Sequence, residues 1–182
     1  MKWLERCAWG VAGVGLVFRL LHWPFGGLFT VLGFSAAAIV YFPFGWLLFG
    51  GPSRKEQLVP LSLITGLVLS TIVIGSLFKL QFWPGADINL LMGLLGAVVM
   101  TVALLGIHSR RPLAEHYFNA LRSRLLVIGT VGLLLHLVPT PALIRASAGE
   151  NTERAEMLIR LYENPGDTAA QRALQEMNST PR

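Results

Sequence analysis

Acidic side chains are scarce in this sequence. Residues 1–141 contain four of them, Glu5, Glu56, Asp87 and Glu115, against ten Lys or Arg. Charged residues of both signs make up 14% of the 182-residue chain, where soluble domains carry nearer a quarter. Between Arg6 and Arg145 lie several apolar runs long enough to cross a bilayer, which takes about 20 residues of helix. Cysteine is almost missing too. The single Cys7 excludes an intrachain disulfide, and it follows Glu5 and Arg6 rather than the small apolar run of a lipid-attachment box. HExxH, GxSxG, P-loop and CxxC patterns are all absent, so the chain offers no familiar enzyme motif and implies no cofactor and no metal. No carboxylate falls inside an expected span, which leaves a carboxylate-based proton relay without material.

What charge there is has a direction. Residues 1–141 balance at +6, whereas residues 142–182, with five Arg and six Asp or Glu, balance at −1. The basic excess therefore belongs to the apolar part, where it reads as a topology signal and not as a nucleic-acid patch. Cations cluster at the N-terminus (Lys2, Arg6), in the loop around Arg54 and Lys55, and between His108 and Arg124. The connections at 24–27 and 84–87 carry none. Eight cations against none place the N-terminus and long loops inside a bacterial inner membrane and the two short turns outside. The N-terminal apolar run could imitate a signal peptide, with "AAA" at 36–38 as its cleavage site. That site lies beyond Arg19, His22 and Pro24, so the segment is expected to be retained.

Five spans are expected in an all-α membrane bundle. The first hairpin, residues 1–50, holds spans at about 7–23 and 28–49. The second, residues 51–107, holds spans at about 61–82 and 88–107. Residues 108–144 supply an inner-loop helix, "PLAEHYFNALRSR", with Leu113, Tyr117, Phe118 and Leu121 along one side and Pro112 in its first turn. A fifth span follows from Leu125; it reaches 20 residues if the helix continues through "PTP" to Ile144, and a re-entrant segment is the alternative. Residues 145–182 form a polar tail outside the membrane, with two short amphipathic helices. Met157, Leu158 and Leu161 stripe one, and Ala170, Leu174 and Met177 the other. Asp167 or Thr168 caps the second, and Thr168 with Gln171 has capping-box spacing. Two such helices bury too little to stand alone, so they are expected on the membrane part or on a protein partner.

One motif recurs. "FRLLHWP" at 18–24 returns as "FKLQFWP" at 78–84 without a gap. At that offset of sixty, Gly15, Phe18, Leu20, Trp23, Pro24 and Gly33 match Gly75, Phe78, Leu80, Trp83, Pro84 and Gly93, and Arg19 matches Lys79 in charge. This reads as a duplicated hairpin, with both copies in the same orientation. Pro24 and Pro84 end the first helix of each copy, and Trp23 and Trp83 suit an interface. The glycines allow close helix approach. Arg19 and Lys79 sit one turn below. Their stems can snorkel to headgroups, or the cations can face the bundle. The second placement gives a candidate ligand site. Arg19 and Lys79 share one outer-leaflet cleft, joined by His22 and His136, with Asp87 as the one carboxylate nearby. Asp87 is eight residues from Lys79 and can pair with it, whereas Gly27 stands at the matching place in the first copy. His108 and His116 are expected at the surface.

The second copy, "GSLFKLQFWPGA", resembles the hairpin of the gliding-motility GldL family, membrane components of the motor linked to type IX secretion in Bacteroidota. Phe78, Lys79, Pro84, Gly85 and Ala86 match that family's signature, and the first copy contributes Phe18, His22 and Pro24. The resemblance covers about 30 residues in each hairpin and implies a pair of membrane helices joined at an outer turn. The family's glutamate in the second membrane helix has no counterpart here, nor does its long cytoplasmic tail, so the motor role does not carry over. Two functions remain. The favoured one is a non-enzymatic scaffold or subunit of a membrane complex, contacting lipids and, through the tail, a protein. The other is a small carrier or sensor that binds an anion or lipid headgroup at the outer side.

Overall fold

A computed structural model describes residues 1–50, 57–110, 113–149 and 151–179, and among these it contains helices and no strand. The order is α1 (Lys2–Leu20), α2 (Gly26–Tyr41), α3 (Gly45–Phe49), α4 (Val59–Leu80), α5 (Ala86–Arg110), α6 (Glu115–Leu137), α7 (Thr140–Ala148), α8 (Thr152–Glu163) and α9 (Thr168–Ser179). Three of them, α4, α5 and α6, are long and apolar enough to cross a membrane. Helix α1 carries four charges, Lys2, Glu5, Arg6 and Arg19, and α2 has only 16 residues, about 24 Å at the helical rise. Helix α4 is the centre: α2, α3, α5 and α6 all pack against it. More than half of its apolar stretch is buried, 56%, against 28% for α5 and 22% for α6. The outward faces of α5 and α6 expose Val98, Val99, Val102, Val127 and Leu134, as a surface facing hydrocarbon requires.

Several expected boundaries move. The second expected span breaks after Tyr41. Phe42 is extended ahead of Pro43, as pre-proline sterics favour, and α3 resumes at Gly45. The inner-loop helix and the fifth span are one helix, α6, in which Tyr117, Phe118 and Leu121 are buried on the expected side. Continuation through the prolines to Ile144 fails. Val138 and Pro139 are both extended, Pro139 has no N–H to give, and α7 starts afresh at Thr140. Apolar length is thus gained at the N-terminal end of α6, not beyond Val138. His108 is no plain surface residue: its Nδ1 accepts from the Leu113 N–H at 3.1 Å and its ring stacks on Phe118. Asp167 caps α9 by accepting from the N–H groups of Ala169 and Ala170, and Gln171 donates instead to the Pro165 carbonyl, so the Thr168 capping box does not form. Arg54, Lys55, Arg111 and Pro112 lie outside the described residues.

The repeated motif has a local explanation. In α1 the N–H of Trp23 donates to the Phe18 carbonyl at 2.8 Å and that of His22 to the Arg19 carbonyl at 3.2 Å; in α4 Trp83 donates to Phe78 at 2.9 Å and Phe82 to Lys79 at 3.3 Å. This is the Schellman ending of a helix, with its customary apolar contact between the third residue from the end and the second residue beyond the cap. Here that contact is an edge-on ring pair, Phe18 with Trp23 at 5.2 Å and Phe78 with Trp83 at 5.1 Å. Pro24 and Pro84 follow, where no helix can continue. The motif demands a left-handed residue between cap and Trp, and His22 (φ 55°) and Phe82 (φ 59°) supply it. A second left-handed position is Phe25 (φ 67°) in one turn and Gly85 (φ 80°) in the other.

Within each hairpin the helices meet at glycine. A Cβ on Gly15 would strike the backbone of Thr30, and one on Gly33 the backbone of Ala12. Gly75 faces Leu90 and Gly93 faces Ile72 in the same way, every one of these positions sixty apart from its counterpart. Gly10, by contrast, has open space. Replacing Gly33 with Val should therefore destabilise the chain by at least ~1–3 kcal/mol, the usual penalty of overpacking. Gly10→Val should be nearly neutral, and the difference is readable as the thermal midpoint of the two variants in one mild detergent.

Candidate functional site

The end of the bundle that carries both Trp-Pro turns also carries most of the interior polar groups. Lys79 points inward from the last turn of α4 and is 1% exposed. Its ammonium pairs with Asp87, which stands in the first turn of α5. Neither snorkelling nor a shared cleft describes this lysine. Its charge is neutralised inside the fold by the residue eight positions on. Asp87 is the hub of a wider set. Its Oδ2 accepts from the Tyr162 hydroxyl of α8 at 3.2 Å, Thr140 of α7 approaches the same hydroxyl at 3.3 Å, and His136 Nδ1 of α6 lies 3.8 Å from Oδ1. Side chains of four helices therefore meet at one carboxylate, and α7 joins them through Tyr162. His136 Nδ1 is itself buried without a hydrogen bond among the described residues.

Arg19 has a different environment. Gly27 stands where the second copy has Asp87, so no carboxylate faces it from its own hairpin. Its guanidinium lies over the Phe82 ring, 4.8 Å from the centroid, and its Nη1 is buried with no hydrogen-bond partner among the described residues. It lines a cleft of about 670 Å³ between the first turn and the tail. His22, Trp23, Gly27, Gln81, Asn151 and Arg154 line it as well, and no described carboxylate does. Gln81 ties the two turns together by donating to the Gly27 carbonyl at 3.1 Å. The five expected site residues thus separate into two groups. Arg19 and His22 share the cleft; Lys79, Asp87 and His136 form the paired cluster beside it and do not line the cleft. Trp23 and Trp83 are exposed at the turns, and Pro24 and Pro84 follow them.

A third polar cluster sits at the opposite end. Arg124 of α6 grips Glu5 of α1 with two nitrogens, Nε at 2.8 Å and Nη2 at 2.5 Å. Tyr41 of α2 donates to the same carboxylate at 2.8 Å and accepts from the Trp9 indole at 3.0 Å. The Arg124 guanidinium also lies 5.6 Å from the Phe49 ring centroid. Together these groups close the polar end of an apolar cavity of about 480 Å³, lined by Phe34, Val73, Ile128 and Val131. Sequence reasoning missed this network because its partners are scattered over 120 positions. The scarcity of acids was the available signal: an acid in so apolar a chain needs a partner.

No family model, curated protein or solved structure matches this chain.

The paired cluster makes an asymmetric prediction. Asp87→Asn leaves an uncompensated charge at the buried Lys79 and should cost about 3–5 kcal/mol. Lys79→Met leaves only a half-exposed carboxylate and should cost clearly less, and the double variant should recover most of the Asp87→Asn loss. Thermal unfolding of the three variants in detergent gives the ordering; equal losses for both single changes would refute it.

Proposed function

We propose that this chain is a five-span inner-membrane protein built on a duplicated hairpin, and that it binds an anion in the cleft beside Arg19. The sequence by itself favours a scaffold; the cleft moves the reading to binding. One observation carries it. A buried guanidinium nitrogen without a hydrogen bond is costly, and here it belongs to a residue of a cleft that also presents His22 and Arg154 and no described acid. A bound oxyanion would offset the like charges, and a turn of the guanidinium toward it would give that nitrogen an acceptor. Duplication is supported by the matched Schellman endings and glycine contacts sixty residues apart, and the GldL-like signature of the turn is proposed on the same residues. Counting α1 as a span, and α2 continued by α3, gives five crossings, with the cleft and the tail outside and the N-terminus in the cytoplasm.

Two measurements test this reading. Reporter fusions after Arg54, Asp87, Arg111 and Glu163 should score inside, outside, inside and outside; a cytoplasmic signal after Glu163 would sink the five-span topology. Inorganic phosphate should raise the thermal midpoint of the purified full chain in detergent, with chloride as ionic-strength control. Arg19→Gln should weaken the apparent phosphate affinity about tenfold, the worth of one charge-assisted hydrogen bond. An unchanged affinity would remove Arg19 from the site.

A further inference from the structure

The polar cleft does not end at Arg19. An apolar groove of about 250 Å³ adjoins it, and Arg19, Phe82 and Ser147 line both. The groove is walled by Leu16 and Leu20 of α1, Leu80 of α4, and Leu143 and Ala146 of α7. A soluble oxyanion has no use for such an extension, whereas an amphiphile fills both parts at once. The unpartnered Arg19 Nη1 belongs to a residue at the junction, where the headgroup phosphate of a lipid would meet its chain. Trp23, exposed at the cleft wall one turn beyond Arg19, marks the depth at which headgroups lie. Arg154 adds a second fixed positive charge from the tail, so a net-negative headgroup is favoured over a zwitterionic one.

We infer that the cleft and groove together form a site for one anionic glycerophospholipid. Its phosphate sits on Arg19 with His22 and Arg154 around the headgroup, and an acyl chain lies along Leu20, Leu80 and Leu143. The α8–α9 tail forms the outer wall. Asn151, Arg154 and Leu158 of that wall are held to the bundle through Tyr162 on Asp87. The Lys79–Asp87 pair therefore positions the wall without touching the lipid. This inference rests on the anion-binding reading above and narrows it to a membrane lipid.

The test is native mass spectrometry of the full chain in mild detergent, titrated with phosphatidylglycerol or phosphatidylcholine, beside the inorganic phosphate titration. One phosphatidylglycerol should bind about tenfold more tightly than phosphatidylcholine. Arg154→Gln, at an exposed position, should reduce that preference several-fold. Ala146→Trp, also exposed, blocks the groove and should weaken phosphatidylglycerol binding about tenfold while leaving the response to inorganic phosphate intact. Equal binding of the two lipids, or no effect of Ala146→Trp, overturns the lipid site; if phosphate still stabilises the wild type and not Arg19→Gln, the anion site survives as one for a soluble ion. Failure of both phosphate and phosphatidylglycerol to bind overturns both readings.

Discussion

A lysine buried within the bundle is the constraint around which this end of the molecule is organised. Lys79 cannot be left alone in an apolar bundle, because the desolvation of an unpaired charge costs several kcal/mol. Asp87 neutralises it from the start of the next helix. The carboxylate then has acceptor capacity to spare, and Tyr162 uses it. Through that hydroxyl the polar tail, which buries too little to fold by itself, acquires a fixed seat on the bundle. His136 and Thr140 complete the surround. A solution to one buried charge thus also settles where α6, α7 and α8 end up.

The two hairpins share a helix ending, a left-handed linker and a pair of glycine contacts, yet they treat their cations in opposite ways. Asp87 silences Lys79. In the other hairpin Gly27 has no side chain, and Arg19 has no counter-ion among the described residues. Arginine suits that role better than lysine would. Its planar cation rests on the Phe82 face at the edge of the cleft, and such a cation stays charged when partly buried. The difference between a structural charge and an available one comes down to one carboxylate.

Much of this was legible in the sequence, and the limits have physical causes. That both helices stop at the turns could be read because Pro24 and Pro84 cannot continue them; the expected spans run to about Trp23 and Phe82, whereas the helices end at Leu20 and Leu80, where the Schellman turn takes over. The Lys79–Asp87 pair could be read because it is local, eight residues across a turn. The break at Phe42–Pro43 was overridden by a hydrophobic run that counts residues without asking which of them can donate a hydrogen bond. The joining of the inner-loop helix to α6 was hidden by Arg122 and Arg124, whose charges argue for a surface. Arg124 is instead held in the interior by Glu5, and nothing in a sequence window links residues so far apart. The cleft at Arg19 takes in two of the expected residues, Arg19 and His22, and is closed by the tail; the expected one is drawn around both cations, since periodicity gives depth and not the direction of a side chain.

The Glu5–Arg124 pair has a consequence for how the chain is made. The two residues are separated by 119 positions, and at about 5–20 residues per second of synthesis the carboxylate waits roughly 6–24 s for its guanidinium. Tyr41 is made much earlier and can hold Glu5 only by a neutral hydrogen bond. Until Arg124 follows, the acid of α1 lacks its cation from α6, which favours keeping that end of the helix near water. Once α6 is made, the two-nitrogen pair can close and tie α1 to it. The start of α1 is thus tied down by a residue about two-thirds of the way along the chain, so a product interrupted before Arg124 keeps a carboxylate without that partner.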